Sequence, residues 1–299
     1  MVDGPCQEYK RVENEDIDDI IEFLKLAQYE ESNHNIVNMI MWQDYYPLWI
    51  KKEENYISLI GKHLGEWFMY MPLCKKEYFE TAITQSYNCL KQGNIPIIMS
   101  CFTEQEATIV KQMYPNMKVI EDRDGFDYVY ETEKMRTFSG KKLQKKRNHL
   151  NAFYKIYEGR YSYEDISREN VNDCIEFLQM WKSDSDEVMV VEEKKGVIEV
   201  LTLWDRLPCS GGLIRIDGKV EAFIIGSHSS VNMGQINVEK ASPSIRGCYQ
   251  AILKEYIERH LITRKYLNRE DDMGLEALRH AKQAYHPCMM IKKYRLIEE

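Results

Sequence analysis

Apolar positions recur along this chain with two periods, one near 3.6 residues and one near 2, and the period changes at Pro, Gly and Asn. Ile17, Ile20, Ile21 and Leu24 make a helical stripe over 14–30 with Asn14 as its cap, and a second helix over 35–45 closes before Pro47. Segments 48–52 and 56–60 flank Glu53-Glu54-Asn55 as a hairpin, and 67–71 is a strand stopped by Pro72. A helix over 76–91 precedes the continuous apolar run 95–102, which has the character of a buried strand. Thr103 and Glu106 form a capping box for a helix to Tyr114, and strands at 117–120 and 126–130 surround a charged turn. The longest predicted helix runs over 140–157 from a Ser139 cap, with Leu143, Leu150, Tyr154 and Tyr157 on one side.

The second half repeats this grammar. A strand at 160–163 leads to a helix over 169–181, a charged loop and a helix over 196–206. Strands 213–216 and 220–226 enclose Asp217-Gly218, a two-residue hairpin turn. A strand at 235–239, a helix over 247–260, a strand end at Tyr266-Leu267, an acidic turn over 268–272, a helix over 273–284 and a strand at 288–294 complete the chain. On that last helix Leu275, Leu278, Lys282 and Tyr285 share one face, so a lysine and a phenol stand on a stripe otherwise marked as buried. The halves read α-α-β-β-β-α-β-α-β and β-α-α-β-β-β-α-β-α-β, the same order twice with no repeat in the letters.

Composition narrows the class. At 299 residues two domains are the expectation, and 44% hydrophobic with 29% charged residues is ordinary for a globular chain. No apolar run reaches the roughly 20 residues of a spanning helix, and the N-terminus lacks the basic start and apolar core of a secretory signal, so the cytoplasm is the expected location. The net charge of −8 divides into −10 over 1–136 and +2 over 137–299, which directs an anionic ligand to the second half. Eight scattered cysteines, with no CxxC and no Cys/His pair at ligand spacing, predict reduced thiols and no metal site.

The element order is similar to the fold of the Gcn5-related N-acetyltransferases. A closer resemblance, over nearly the whole chain, is to the family related to the C-terminal catalytic domain of phosphatidylglycerol lysyltransferases. It is carried by DRDGFDYVY (122–130), FSGKKLQKKRNHLNAF (138–153), VEKA (238–241), GCYQAI (247–252) and LNREDDMGLEALRHAKQAYHP (267–287). The resemblance implies an α+β chain of two tandem acyl-CoA N-acyltransferase-like domains, each a mixed, mostly antiparallel sheet flanked by helices. Their expected limits are 1–136, acidic and non-catalytic, and 137–299, with the active site. It also implies transfer of an acyl or aminoacyl group from acyl-CoA or aminoacyl-tRNA to an amine or hydroxyl on a small molecule or lipid. By the same resemblance the tRNA acceptor end is an expected partner. No DNA- or RNA-binding module is recognisable. The alternative is a non-catalytic module that binds a nucleotide-bearing ligand or charged tRNA.

Such chemistry needs a base, an oxyanion donor and an acid. Glu239, at a strand end, is the candidate base or nucleophile-orienting group, its other reading being a solvated carboxylate. Tyr285 matches the superfamily's acid tyrosine, against the reading of a core phenol. Lys282 and Arg279, with Arg269, are candidates for phosphate or oxyanion. Lys141, Lys145, Lys146, Arg147 and Asn148 on the basic helix, and Arg246, Gly247 and Tyr249 at the start of the 247–260 helix, are candidates for the donor's phosphates; the lysines read equally as a solvated face. Asn268, Arg269, Glu270 and Asp272 are candidates for the acceptor or aminoacyl group, with helix capping as the other role for Asp272.

Overall fold

A computed structural model describes residues 4–181 and 188–299. In chain order it contains β1 (Lys10–Arg11), α1 (Ile17–Ala27), α2 (Ile36–Met41), β2 (Leu48–Lys52), β3 (Tyr56–His63), β4 (Glu66–Met69), β5 (Leu73–Cys74), α3 (Phe79–Gln92), β6 (Ile98–Phe102), α4 (Glu104–Met113) and β7 (Met117–Glu121). There follow β8 (Asp127–Glu131), α5 (Thr132–Thr137), α6 (Gln144–Ile156), β9 (Tyr161–Asp165), α7 (Val171–Met180), α8 (Val188–Thr202), β10 (Cys209–Ile216), β11 (Lys219–His228) and β12 (Met233–Ala241). The chain ends with α9 (Cys248–Tyr256), β13 (Tyr266–Asn268), α10 (Glu276–Gln283), β14 (Met289–Ile291) and β15 (Tyr294–Glu298).

These elements form a mixed α+β structure with two mixed sheets flanked by helices. The chain divides into one compact unit of residues up to 126 with 291–299, and another of 127–290. The expected division at 136/137 is therefore corrected. β8 and α5 belong to the second unit, and β15 returns to the first. The first sheet runs β1-β2-β3-β4-β6-β15-β7 and the second β9-β10-β11-β12-β13-β8-β14. Each sheet thus takes its penultimate strand from the other half of the sequence. Each also contains a parallel step, β4 beside β6 and β12 beside β13.

Local chemistry explains where element limits differ from the sequence expectation. Glu13, not Asn14, caps the first helix, through a reciprocal capping box with Asp16. The basic helix begins at Gln144 because Gly140 sits at φ 87° and Arg147 donates from Nη1 to the carbonyls of Phe138 (2.5 Å) and Gly140 (3.2 Å), holding 138–143 as a loop. Asp217 and Gly218, at φ 49° and 82°, make the hairpin turn the sequence predicts. The strand expected over 288–294 is two strands, and α8 replaces most of the charged loop; residues 182–187 of that loop lie outside the described residues. Cys6 and Cys89 form a disulfide, correcting the expectation of reduced thiols, while the other six cysteines are free.

In the first unit the opening beyond β4 and β6 is filled by the chain between α1 and α2. His34 Nε2 lies 2.9 Å from the Met71 carbonyl, and the Tyr29 hydroxyl donates to the Pro72 carbonyl at 2.9 Å. His34 pairs through Nδ1 with Glu31, both fully buried, and Glu31 also accepts the amides of Asn33 (2.7 Å) and His34 (3.0 Å). Burial pushes the Glu31 carboxyl up, but His34, Lys293 and the Asn33 amide outweigh it and hold the carboxyl below its ordinary value. Glu31→Ala strands these donors, and urea unfolding is expected to show a loss of about 3–5 kcal/mol, as for one member removed from a buried pair. A change under 1 kcal/mol would mean the cluster holds nothing together.

Candidate active site

In the second unit the corresponding place is where β12 and β13 part. β12 and β13 pair from Met233↔Tyr266 to Gln235↔Asn268, after which β12 runs on to Ala241 without that neighbour. On its other side β12 pairs Gly226 with Ile236 and Ile225 with Val238, so Asn237 is an extra residue, a β-bulge. Glu239 follows two residues later, opposite Ile224 of β11 and past the point where β13 pairs with β12, and Arg269 follows directly on the end of β13.

Arg269 reaches back to Glu239, with Nη2 donating to Oε2 at 2.6 Å, and both side chains are largely buried. Burial works against the Arg269 cation, but Glu239 and the phenols of Tyr285 and Tyr130 outweigh it and raise its pKa. Glu239 Oε1 and Arg269 Nη1 are buried with no hydrogen-bond partner among the described residues. Unpaired buried polar atoms are uncommon and costly, about 1–3 kcal/mol each. Tyr285 lies alongside: the Arg269 guanidinium carbon is 4.6 Å from its ring centroid and Lys146 Nζ is 3.9 Å from it. Gln250 Nε2 donates to the Tyr285 oxygen at 2.7 Å, leaving the phenolic proton for another acceptor. Burial raises the Tyr285 pKa against the opposing pull of Arg269, so the phenol stays protonated at neutral pH.

The loop after β13 positions these groups, and it corrects several expectations. Glu270, Met273 and Gly274 have φ of 61°, 50° and 74°, so this stretch cannot satisfy its own backbone and side chains do so instead. The Asn268 carbonyl oxygen accepts the Glu270 amide at 2.7 Å, and its NH₂ donates to Asp127 at 3.0 Å. Glu270 accepts from the side-chain amides of Gln235 (2.9 Å) and Asn237 (3.3 Å), tying the loop to the bulge. Asp272, fully buried, accepts the Tyr128 hydroxyl (2.6 Å), the Gly274 amide (3.0 Å) and the Arg279 fork (2.9 and 2.8 Å). Lys282 donates to the carbonyls of Arg269 (2.6 Å) and Asp271, and burial pushes its pKa down. Lys282 and Arg279, expected at the reacting centre or on phosphate, thus hold the loop, as do Asn268, Glu270 and Asp272. The stripe expected on α10 is only partly buried: Leu275, Leu278 and Lys282 are half-buried, and Tyr285, just past the helix, is its one buried member.

α6 and α9 bring the basic residues to the same opening. Gly247, at φ 83°, is required because a Cβ there would meet the His149 carbonyl oxygen at 2.1 Å. Its glycine therefore serves a close helix approach. Lys145, Lys146, His149 and Arg246 are mutual neighbours: burial first, then Arg246, Lys145 and Lys146, holds the His149 imidazole below its ordinary pKa. Lys146 is likewise lowered, by burial and by Arg269. Lys141 and Asn148 are exposed, and Arg147 holds the 138–143 loop. Tyr249 is near enough to Glu239 to feel its charge, and burial with that charge pushes its phenol up to about 12. Sequence reasoning missed Gln250, Tyr130 and Trp181. Trp181 Nε1 donates to the Ala241 carbonyl at 2.9 Å at the end of β12. Gln250 was visible as a lone amide in the apolar GCYQAI block. No cluster of three or more metal-ligating side chains occurs among the described residues.

The model of the family "Phosphatidylglycerol lysyltransferase, C-terminal" matches residues 24–297. The chain belongs to that family, and so to a family of transferases. An uncharacterized protein of Mycoplasmoides gallisepticum (strain R(low / passage 15 / clone 2)) is 30% identical over 201 residues, 66% of this chain and 64% of that protein. The match therefore spans just under two thirds of the curated relative. A conserved protein of unknown function from Bacteroides thetaiotaomicron VPI-5482 superposes with a TM-score of 0.89 at 25% identity, over 97% of this chain and 99% of that one. L-PGS from Bacillus licheniformis superposes with a TM-score of 0.68 at 14% identity, over 97% and 93%, a likeness of fold.

Asp272 makes the loop's stability depend on pH. Burial would raise its pKa, but Arg279, Tyr128 and the Gly274 amide outweigh it and bring it to about 2 from 3.8. Its contribution, on the order of 2 kcal/mol, is complete above about pH 4 and is lost as pH falls through about 2. Urea midpoints are expected to fall over that window in the native chain, with a shallower fall in Asp272→Asn. Parallel slopes would remove Asp272 as the titrating group.

Proposed function

We propose that the opening between β12 and β13 is the active site of an acyl or aminoacyl transferase acting by direct attack. The observation that carries this reading is the pair of unsatisfied buried atoms, Glu239 Oε1 and Arg269 Nη1, beside a protonated Tyr285. An acceptor or donor amine or hydroxyl satisfies Glu239, and an oxyanion satisfies Arg269. In the reaction the acceptor's N–H or O–H gives its proton to Glu239 as its lone pair attacks the donor carbonyl. Arg269 then stabilises the oxyanion with a charge-assisted hydrogen bond. As the carbon–oxygen or carbon–sulfur bond to the carrier breaks, Tyr285 protonates the leaving group. Lys146 above the Tyr285 ring favours the phenolate so formed.

Lys145, Lys146 and Arg246 make the entry positive, which suits the phosphates of a donor. Aminoacyl-tRNA and acyl-CoA both fit this requirement, and both occur in the cytoplasm; the acceptor is a small molecule or a lipid head group. The repeated strand order supports two tandem acyltransferase-like domains. The buried His34–Glu31 plug in the first supports a non-catalytic role for it. Among the described residues no helix is long and apolar enough to cross a membrane.

Tyr285→Phe is expected to retain donor binding and to lower turnover by about 10² to 10⁴, the range for a general acid. Glu239→Gln should lower kcat similarly, with donor binding retained. The assay pairs each donor, charged tRNA and acetyl-coenzyme A, with a panel of amines and lipids. Donor binding without product in the native chain under every pairing would replace the transferase with a binding module.

A further inference from the structure

At the opposite end of β13 from Arg269, the second unit carries a half-open depression of about 380 Å³, within the size range of small-ligand sites. Its wall is apolar where Ile262, Tyr266 and Met289 line it, and Ile262 and Met289 are exposed there. Its charges do not balance. Glu133 is taken up by Arg136, and Glu131 by Lys134 at 2.8 Å. Arg264 instead donates to uncharged partners, His228 Nδ1 at 3.0 Å and the Val231 carbonyl at 2.6 Å, and has no carboxylate partner among the described residues. Lys265 has none either, its ammonium standing 5.0 Å from the Tyr266 ring centroid. Two cations therefore face the depression uncompensated.

We propose that this depression is a second binding site, for a small oxyanion with an apolar tail. Lys265 and Arg264 hold its carboxylate or phosphate, and Ile262, Tyr266 and Met289 cover its tail. The oxyanion supplies the charge the two cations lack. A bare anion leaves the apolar wall in water, and an apolar cation meets two like charges, so neither fits. The site is separate in its residues from the Glu239, Arg269 and Tyr285 cluster and stands whether or not that cluster is catalytic.

Cys288, exposed and lining the same depression, reports on occupancy. Its alkylation rate, read by peptide mass in the full chain, is to be measured with hexyl phosphate, hexanoate, inorganic phosphate and hexyltrimethylammonium. At ten times its dissociation constant, hexyl phosphate or hexanoate is expected to slow labelling about tenfold by simple mass action, and the better of the two identifies the head group. Inorganic phosphate and the cation should not. Lys265→Glu should abolish the protection. Absence of protection by either amphiphilic anion, equal protection by the cation, or unchanged protection in Lys265→Glu would overturn the assignment.

Discussion

The pair formed by Glu239 and Arg269 is the interaction on which the second unit's opening depends. Each residue lies just past the point where β12 and β13 cease to pair, and each would be an isolated buried charge without the other. Isolated burial of either ion costs several kcal/mol, so neither can be replaced alone. Their single hydrogen bond of 2.6 Å uses one oxygen and one nitrogen. The remaining oxygen and nitrogen have no partner among the described residues, an arrangement that lowers stability and suits a ligand.

Everything around that pair limits where it can move. The bulge at Asn237 sets the direction of β12 ahead of Glu239, and Glu270 holds that bulge through Gln235 and Asn237. Lys282 grips the Arg269 carbonyl, so the backbone that presents the guanidinium is held from α10. Asp272 anchors α10 through Arg279 and β8 through Tyr128, so Tyr285 is delivered by the same loop. Charged side chains that look like reagents in the letters act here as ties for a backbone with three left-handed residues.

The two sheets share a strand order and differ at the parallel step. In the first, the chain between α1 and α2 satisfies the carbonyls of Met71 and Pro72 with His34 and Tyr29. In the second, Glu239 Oε1, on the bulged strand, has no partner among the described residues. The same topology thus carries two different sets of side chains beyond its parallel step.

Much of this was legible in the letters. Periodicity placed most helices and strands, though not β1, β5 or α5, the Asp217-Gly218 pair specified its turn, and helical spacing from Leu275 marked Tyr285 as an inward phenol, because these depend on neighbours within a few residues. Glu239, Arg269 and Tyr285 were each singled out as separate candidates. Their meeting was not legible, since it joins positions 30 and 16 residues apart in sequence through the end of a parallel pairing. Nor were the structural duties of Lys282, Arg279 and Arg147, because composition and spacing do not say whether a cation's partner is a carbonyl, a carboxylate or a ligand. The exchange of β8 and β15 was likewise hidden: strand propensity is local, but which sheet a strand completes is decided by the edge it can pair with once both sheets exist.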